Sequence, residues 1–212
     1  MTKPMTALAA FVLTIIAALA ISAPMAAAQD SEVDTSGIVE MQMGDPDAPV
    51  TIIEYASYTC PHCARFHEGA FKDLKEDYID TGNVNFIYRE VYFDRFGLWA
   101  SIVARCGEGA ENRFFGITDM LYEQQSDWAR QSDPNAIVDR LRRIGKTAGL
   151  TDDQLDACFT DGDNAQALYA LWLERSEADN IDSTPSFIID GRKYSNMAYA
   201  EMAELIDTAL GE

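Results

Sequence analysis

The stretch EYASYTCPHCARFHEG, residues 54–69, places Cys60 and Cys63 on either side of a proline and a histidine. This spacing is compatible with a metal site, a structural disulfide or thiol–disulfide exchange. A zinc site could use Cys60, Cys63 and His67, but the sequence offers no convincing fourth ligand. The proline in the loop and the surrounding β–α–β pattern favour redox chemistry. His67 is then predicted to be an exposed helix residue outside the active site.

Cys60 is predicted to lie at the N-terminus of the helix that follows the motif. Unpaired backbone amides and the helix dipole favour an anion at that position. His62 adds a further donor or positive charge nearby. Both effects lower a thiol pKa, and the thiolate is the reactive form of cysteine. Cys63, one turn into the helix, is expected to be more buried and to act as the resolving thiol.

Glu54 is an acid inside the mostly apolar run VTIIEYAS, residues 50–57, which is typical of a strand buried on both faces. A buried carboxylate is costly unless it has a partner or a function. Glu54 is therefore a candidate functional residue. The alternative is a solvated carboxylate on a half-exposed strand.

The elements around the motif are predicted to form a β–α–β unit. Residues 50–57 and 84–93 have strand character, and residues 64–80 carry an apolar stripe at helical spacing. Such a unit implies a parallel strand pair with a right-handed crossover. From about residue 94 to residue 180 the pattern is helical. A β-hairpin around Asp190–Gly191 and a closing helix over residues 198–211 follow.

Residues 1–28 have the pattern of a cleaved signal peptide. Lys3 precedes an apolar run over residues 7–21, and Ala26–Ala28 offers a small-residue cleavage site. An uncleaved membrane anchor is the alternative. Cleavage would leave 184 of the 212 residues, beginning with a flexible leader over residues 29–37. The expected location is the periplasm, an oxidising compartment in which disulfides persist.

The charge of the chain is strongly acidic. Asp and Glu number 35 against 16 Lys and Arg, and removal of Lys3 would change the net charge from −19 to −20. Nucleic acids and anionic membranes attract Lys and Arg, so neither is expected as a partner. The simplest interpretation is a solvated acidic surface that helps solubility.

Taken together, these motifs resemble the DsbA family of thioredoxin-fold thiol oxidases. The resemblance rests on EYASYTCPHC, the helix and strand that follow it, the helical block and STPSF, residues 183–187. It implies an α/β class, thioredoxin-like fold with a large all-helical insertion. Residues 38–93 and 181–212 would form the thioredoxin-like domain, and residues 94–180 the insertion domain.

The resemblance also implies a reaction. The Cys60–Cys63 disulfide would be donated to reduced exported proteins without a cofactor, and a quinone-linked membrane partner of the DsbB type would reoxidise the enzyme. A disulfide isomerase or reductase, and a non-enzymatic metal carrier, remain rivals. Family isomerases usually add an N-terminal dimerisation domain, and the short polar leader is not one, so a monomeric oxidase is expected.

Thr184 and Pro185 match the cis-proline loop of the family, which lies beside the cysteines. The resemblance implies substrate contact by Thr184, Pro185 and His62, and it places Pro61 in the catalytic motif. A trans proline before a strand is the alternative. Thr184 replaces the valine common in enterobacterial members, which leaves substrate preference and redox poise open.

Two further roles follow from the resemblance. Glu54 occupies the position of a family acid beneath the cysteine pair, which moves a proton to or from the buried thiol. Cys106 and Cys158 resemble the second, structural disulfide of some alphaproteobacterial members. Two buried free thiols are the alternative for this second pair.

Overall fold

A computed structural model describes residues 33–211 of the chain. The predicted signal peptide, residues 1–28, and the first part of the predicted leader, residues 29–32, lie outside the described residues. Among the residues described, no helix combines the length and the apolar character needed to cross a membrane.

A five-stranded sheet with the order β1-β3-β2-β4-β5 forms the centre of the fold. Strand β2 is central because it carries the continuous apolar run, and it pairs in parallel with β3, with Ile52 opposite Phe86. This pairing confirms the predicted β–α–β unit. The other neighbours pair antiparallel, and the predicted hairpin joins β4 to β5. The strands are β1 Met41–Met43, β2 Val50–Ala56, β3 Val84–Glu90, β4 Ser186–Ile189 and β5 Arg192–Ser195.

The segment after the CPHC motif is less regular than the sequence predicts. Helix α1 spans Pro61–Glu68, helix α2 spans Ala70–Leu74, and a π-helical turn covers Lys75–Ile79. The single helix predicted over residues 64–80 is therefore wrong in this detail. Gly69 takes a non-helical backbone conformation at φ −125° and ψ −96°, and it separates α1 from α2. Pro61 begins α1 because its ring pre-sets the helical φ angle and its missing N–H is not needed there.

Between β3 and β4 the chain is helical, as predicted, and a closing helix follows β5. Asp133 caps one of these helices in front of Pro134, and Thr151 and Gln154 form the predicted capping box of the next. All strands of the described residues lie within residues 38–93 and 181–212, while the division into two domains stays a prediction. The helices are α3 Arg95–Ala104, α4 Ala110–Glu123, α5 Gln125–Trp128, α6 Pro134–Thr147, α7 Asp152–Thr160, α8 Gly162–Ala178 and α9 Tyr199–Leu210.

Two links hold the helical block together and to the sheet. A disulfide joins Cys106, after α3, to Cys158 in α7, so the alternative of two free thiols is wrong. The buried guanidinium of Arg105 donates to both carboxylate oxygens of Glu90, at 2.6 and 2.8 Å. A bidentate pair of this kind is among the stronger charge-assisted contacts, and it fixes the end of α3 to the end of β3.

Candidate active site

Cys60 lies where the sequence places it, at the N-cap of α1 directly after the turn that follows β2. Its backbone N–H donates to the carbonyl oxygen of Ser57 at 3.0 Å, which closes the turn. Cys60 is partly exposed and Cys63 is fully buried, and neither forms a disulfide in the structure. The two sulfurs therefore occupy different environments, one reachable by another protein and one not.

The environment of Cys60 lowers the pKa of its thiol to about 5. The largest contribution is a hydrogen bond from the Cys63 thiol, and the backbone amides of Cys63 and His62 add to it, while partial burial opposes the shift. His62 thus acts on the sulfur through its backbone. Its ring accepts a hydrogen bond from Arg65, with 2.7 Å between Nδ1 and the guanidinium nitrogen. A role of the ring in tuning Cys60 stays a prediction.

Cys63 is shifted in the opposite direction. Burial raises the pKa of its thiol far above the ordinary value, and the hydrogen bond to Cys60 and the charge of Glu54 raise it further. A negative charge on Cys63 is therefore strongly disfavoured, so its thiol stays protonated while Cys60 is ionised.

The loop before β4 lies against the reactive sulfur. The peptide bond between Thr184 and Pro185 is cis, as the family resemblance implies. The Sγ atom of Cys60 is 3.5 Å from the carbonyl oxygen of Thr184, close enough for the thiol form to donate a hydrogen bond. Residues separated by more than 120 positions in sequence thus meet at the cysteine.

Glu54, in β2, and His67, in α1, form a buried pair. Glu54 is 0% exposed and His67 is 3% exposed, and Nε2 of His67 lies 2.8 Å from Oε2 of Glu54. The alternative of a solvated Glu54 is wrong. The prediction that His67 is exposed is also wrong, because its side chain is buried against Glu54. Cys63 and His67 are four residues apart on α1, so both face the core, and this spacing beside a strand acid was the signal available in the sequence.

Comparison with known proteins places this arrangement in a family. A family model described as thioredoxin matches residues 36–208. The chain belongs to this thioredoxin family. A Rickettsia bellii relative described as a protein-disulfide oxidoreductase is 34% identical over 173 residues, which cover 82% of this chain and 65% of that protein. The chain therefore spans slightly less than two thirds of the length of that relative.

Two further comparisons concern relatives of similar size. Disulfide bond formation protein D of Bacillus subtilis is 27% identical over 177 residues, which cover 79% of this thioredoxin-family chain and 76% of the relative. The crystal structure of Wolbachia pipientis alpha-DsbA1 matches at a TM-score of 0.74 and 28% identity, covering 81% of this chain and 91% of that chain. These similarities confirm the DsbA-type resemblance and the thioredoxin-like fold with its helical insertion.

Gln125 is a residue of the site that sequence reasoning missed. It is buried at the start of α5, and its amide nitrogen donates to the carbonyl oxygens of Tyr58 and Cys60 at 2.8 and 2.9 Å. One side chain of the insertion thus holds the active-site turn of this thioredoxin-family protein. No local pattern marks Gln125, because its partners lie more than 60 residues earlier in the chain.

Replacing Gln125 by Met is expected to lower the free energy of unfolding by about 2 kcal/mol, because two buried or half-buried carbonyls lose their donor. Urea denaturation of the oxidised protein measures this loss. Gln124→Met, at the neighbouring exposed position, is the matched control and should change stability by less than about 0.5 kcal/mol. Equal effects of the two variants would contradict a clamping role for Gln125.

The described residues do not support a metal site at the motif. His67 is hydrogen-bonded to Glu54, and across residues 33–211 no group of three or more His, Cys, Asp and Glu side chains is placed to hold a metal ion.

Proposed function

We propose that this protein is an exported thiol oxidase that donates the Cys60–Cys63 disulfide to reduced proteins. The observation that carries the proposal is the asymmetry of the two thiols. Cys60 is accessible and has a pKa of about 5, whereas the pKa of the buried Cys63 is raised far above its ordinary value. The disulfide then has one attackable sulfur, and reduction leaves that sulfur as a stable thiolate.

The reaction begins when a substrate thiolate attacks Sγ of Cys60. The Cys60–Cys63 bond breaks, its electron pair passes to Sγ of Cys63, and that sulfur takes up one proton. A second substrate thiolate then attacks the substrate sulfur of the mixed disulfide, and Cys60 leaves as a thiolate. The substrate loses two electrons, which the enzyme carries until a two-electron acceptor removes them. For that acceptor we propose a quinone-linked membrane protein of the DsbB type.

We propose that a cleft with His62 of the CPHC motif in its wall receives part of a substrate protein. It has a volume of about 180 Å³, and its wall includes His62, Phe66 and Met197. The loop with the cis Thr184–Pro185 bond contacts Cys60 directly, through the carbonyl oxygen of Thr184. We assign substrate contact to His62, Thr184 and Pro185, with protein thiols rather than small molecules as the substrate class.

Export to the periplasm is part of the proposal. It is supported by the signal-like pattern of residues 1–28 and by the Cys106–Cys158 disulfide, because disulfides persist in oxidising compartments. We also propose that the enzyme is monomeric. Both follow the expectations drawn from the sequence.

Equilibration with mixtures of reduced and oxidised glutathione tests the proposed direction. Trapping with a thiol-alkylating reagent and mass spectrometry would report the oxidised fraction, in the Cys106→Ala/Cys158→Ala variant so that only the active pair is counted. We expect a reduction potential closer to about −120 mV, as for DsbA, than to about −270 mV, as for thioredoxin. The expectation follows from the stabilised thiolate of the reduced form.

A potential at or below about −230 mV would contradict an oxidase and favour a reductase. Repair of scrambled ribonuclease that depends on added reductant and exceeds the oxidation of reduced ribonuclease would instead favour an isomerase. Both assays use the same protein, so the three directions are distinguishable.

A further inference from the structure

Disulfide exchange at Cys63 needs a route for a proton. When the Cys60–Cys63 bond opens, the Cys63 sulfur must gain a proton, and when the bond forms again it must lose one. Cys63 is 0% exposed, so water cannot reach the sulfur directly. The following inference rests on the proposed exchange reaction, but not on its direction.

The Glu54–His67 pair lies within electrostatic reach of that sulfur. The charge of Glu54 acts on Cys63, and Nε2 of His67 is bound to the same carboxylate. Among the described residues, Oε1 of Glu54 and Nδ1 of His67 are buried and have no hydrogen-bond partner. Each member of the pair therefore keeps one atom that can take up or release a proton. Two buried polar atoms without hydrogen bonds lower the free energy of unfolding, so stability does not explain why this pair is buried.

His67 also forms part of the wall of a small polar cavity. The cavity has a volume of about 50 Å³, well above the roughly 10–15 Å³ that one water needs. Charged groups surround it, including Asp119, an exposed residue whose carboxyl pKa is raised by partial desolvation and lowered in part by His67. The lining residues are His67, Glu68, Lys72, Asp119, Tyr122 and Glu123.

We propose that His67 carries protons between Glu54 and water in this cavity, so that the Cys63 proton enters and leaves through Glu54 and His67. On disulfide opening, Nδ1 of His67 takes a proton from water, Nε2 passes one to Glu54, and Glu54 passes one to Sγ of Cys63. Disulfide formation runs the same transfers in reverse, so one full cycle returns His67 to its starting tautomer. His67 is a positioning residue in this scheme, because it acts on the sulfur through Glu54.

The aromatic rings that pack around His67 are poor proton carriers. The rings of Tyr88, from β3, and Tyr122, from α4, lie 5.8 and 4.4 Å from the His67 ring, and their hydroxyls bond each other at 2.6 Å. Burial raises the pKa of both tyrosines well above the ordinary value, so neither ionises near neutral pH. Phe71, from α2, packs at 4.6 Å and carries no proton.

The experiment measures the rate at which dithiothreitol reduces the Cys60–Cys63 disulfide, across pH and in light and heavy water. The variants are His67→Gln, His67→Phe, Glu54→Gln and Glu54→Gln/His67→Gln. Gln at position 67 keeps a hydrogen-bond donor for Glu54 but cannot relay a proton. We expect His67→Gln to slow the exchange about tenfold or more, to change its pH profile and to leave the Cys60 thiolate titration in place. In the double variant Glu54→Gln/His67→Gln, the rate of reduction should be no lower than in Glu54→Gln.

Phe71→Leu is the matched control, because it disturbs the packing around His67 without removing a titrating group. This control should keep the wild-type pH profile. A His67→Gln profile equal to that of wild type would overturn the proposal, and so would independent, multiplicative losses in the double variant. A failure of the proposed oxidase direction would appear elsewhere, as a low potential of the wild type against glutathione with the His67 effect unchanged.

Discussion

Titration of the reduced protein is expected to show a Cys60 thiolate with a pKa of about 5, far below the ordinary value of 9.0. The ultraviolet absorbance of the thiolate, followed against pH, measures it. Cys60→Ala is the matched control, since it keeps every other chromophore and should abolish the transition. A transition near pH 8.5 in the wild type would remove the basis for an oxidase.

The same shift predicts how the stability of the reduced protein depends on pH. Because the folded pKa of Cys60 is depressed, its contribution is fully present above the unfolded pKa and is lost as pH falls through about 5. Four pKa units correspond to at most about 5 kcal/mol, and about 2–3 kcal/mol is expected because the half-buried sulfur is screened by solvent. The stability of the reduced form should therefore rise between about pH 5 and pH 9 relative to Cys60→Ala.

One substitution identifies the group that causes the shift. The thiol of Cys63 makes the largest contribution to the low pKa of Cys60. Cys63→Ala removes that donor and is expected to raise the Cys60 pKa by roughly one unit or more, since each unit reflects about 1.36 kcal/mol of lost interaction. An unchanged Cys60 pKa in Cys63→Ala would assign the shift to the backbone amides and the loop containing Thr184 instead.

Removal of the Cys106–Cys158 disulfide is expected to lower the free energy of unfolding by about 4 kcal/mol. The bond joins residues 52 apart, so it restricts the unfolded chain more than a short loop would. Urea denaturation of Cys106→Ala/Cys158→Ala at a fixed pH measures the loss. The m-value should also increase, because an unfolded chain without the bond exposes more surface.

Cys60→Ala/Cys63→Ala, compared with wild type under reducing conditions that leave Cys106–Cys158 intact, is the matched control. It removes two thiols that are unbonded in the structure, and it should leave the m-value unchanged. A loss below about 1 kcal/mol on removal of Cys106–Cys158, with an unchanged m-value, would contradict an important stabilising role for that bond.

The sequence by itself determined the features that depend on local patterns. The apolar run of residues 50–57 indicated a buried central strand, and its parallel pairing with β3 followed from the intervening helix. The position of Cys60 at a helix N-terminus, the Asp133 cap and the Thr151–Gln154 capping box were predictable for the same reason. In each case the interacting groups are neighbours in the chain or belong to one repeating pattern.

Only the tertiary structure decided which distant groups meet at the cysteines. Gln125 reaches the active-site turn from the insertion, and burial turned His67 from an expected surface residue into the partner of Glu54. A contact between distant residues depends on how helices pack on the sheet, and no local spacing encodes that packing. The break at Gly69 is a similar case, because glycine tolerates a helix interior or a kink, and the surrounding packing selects between them.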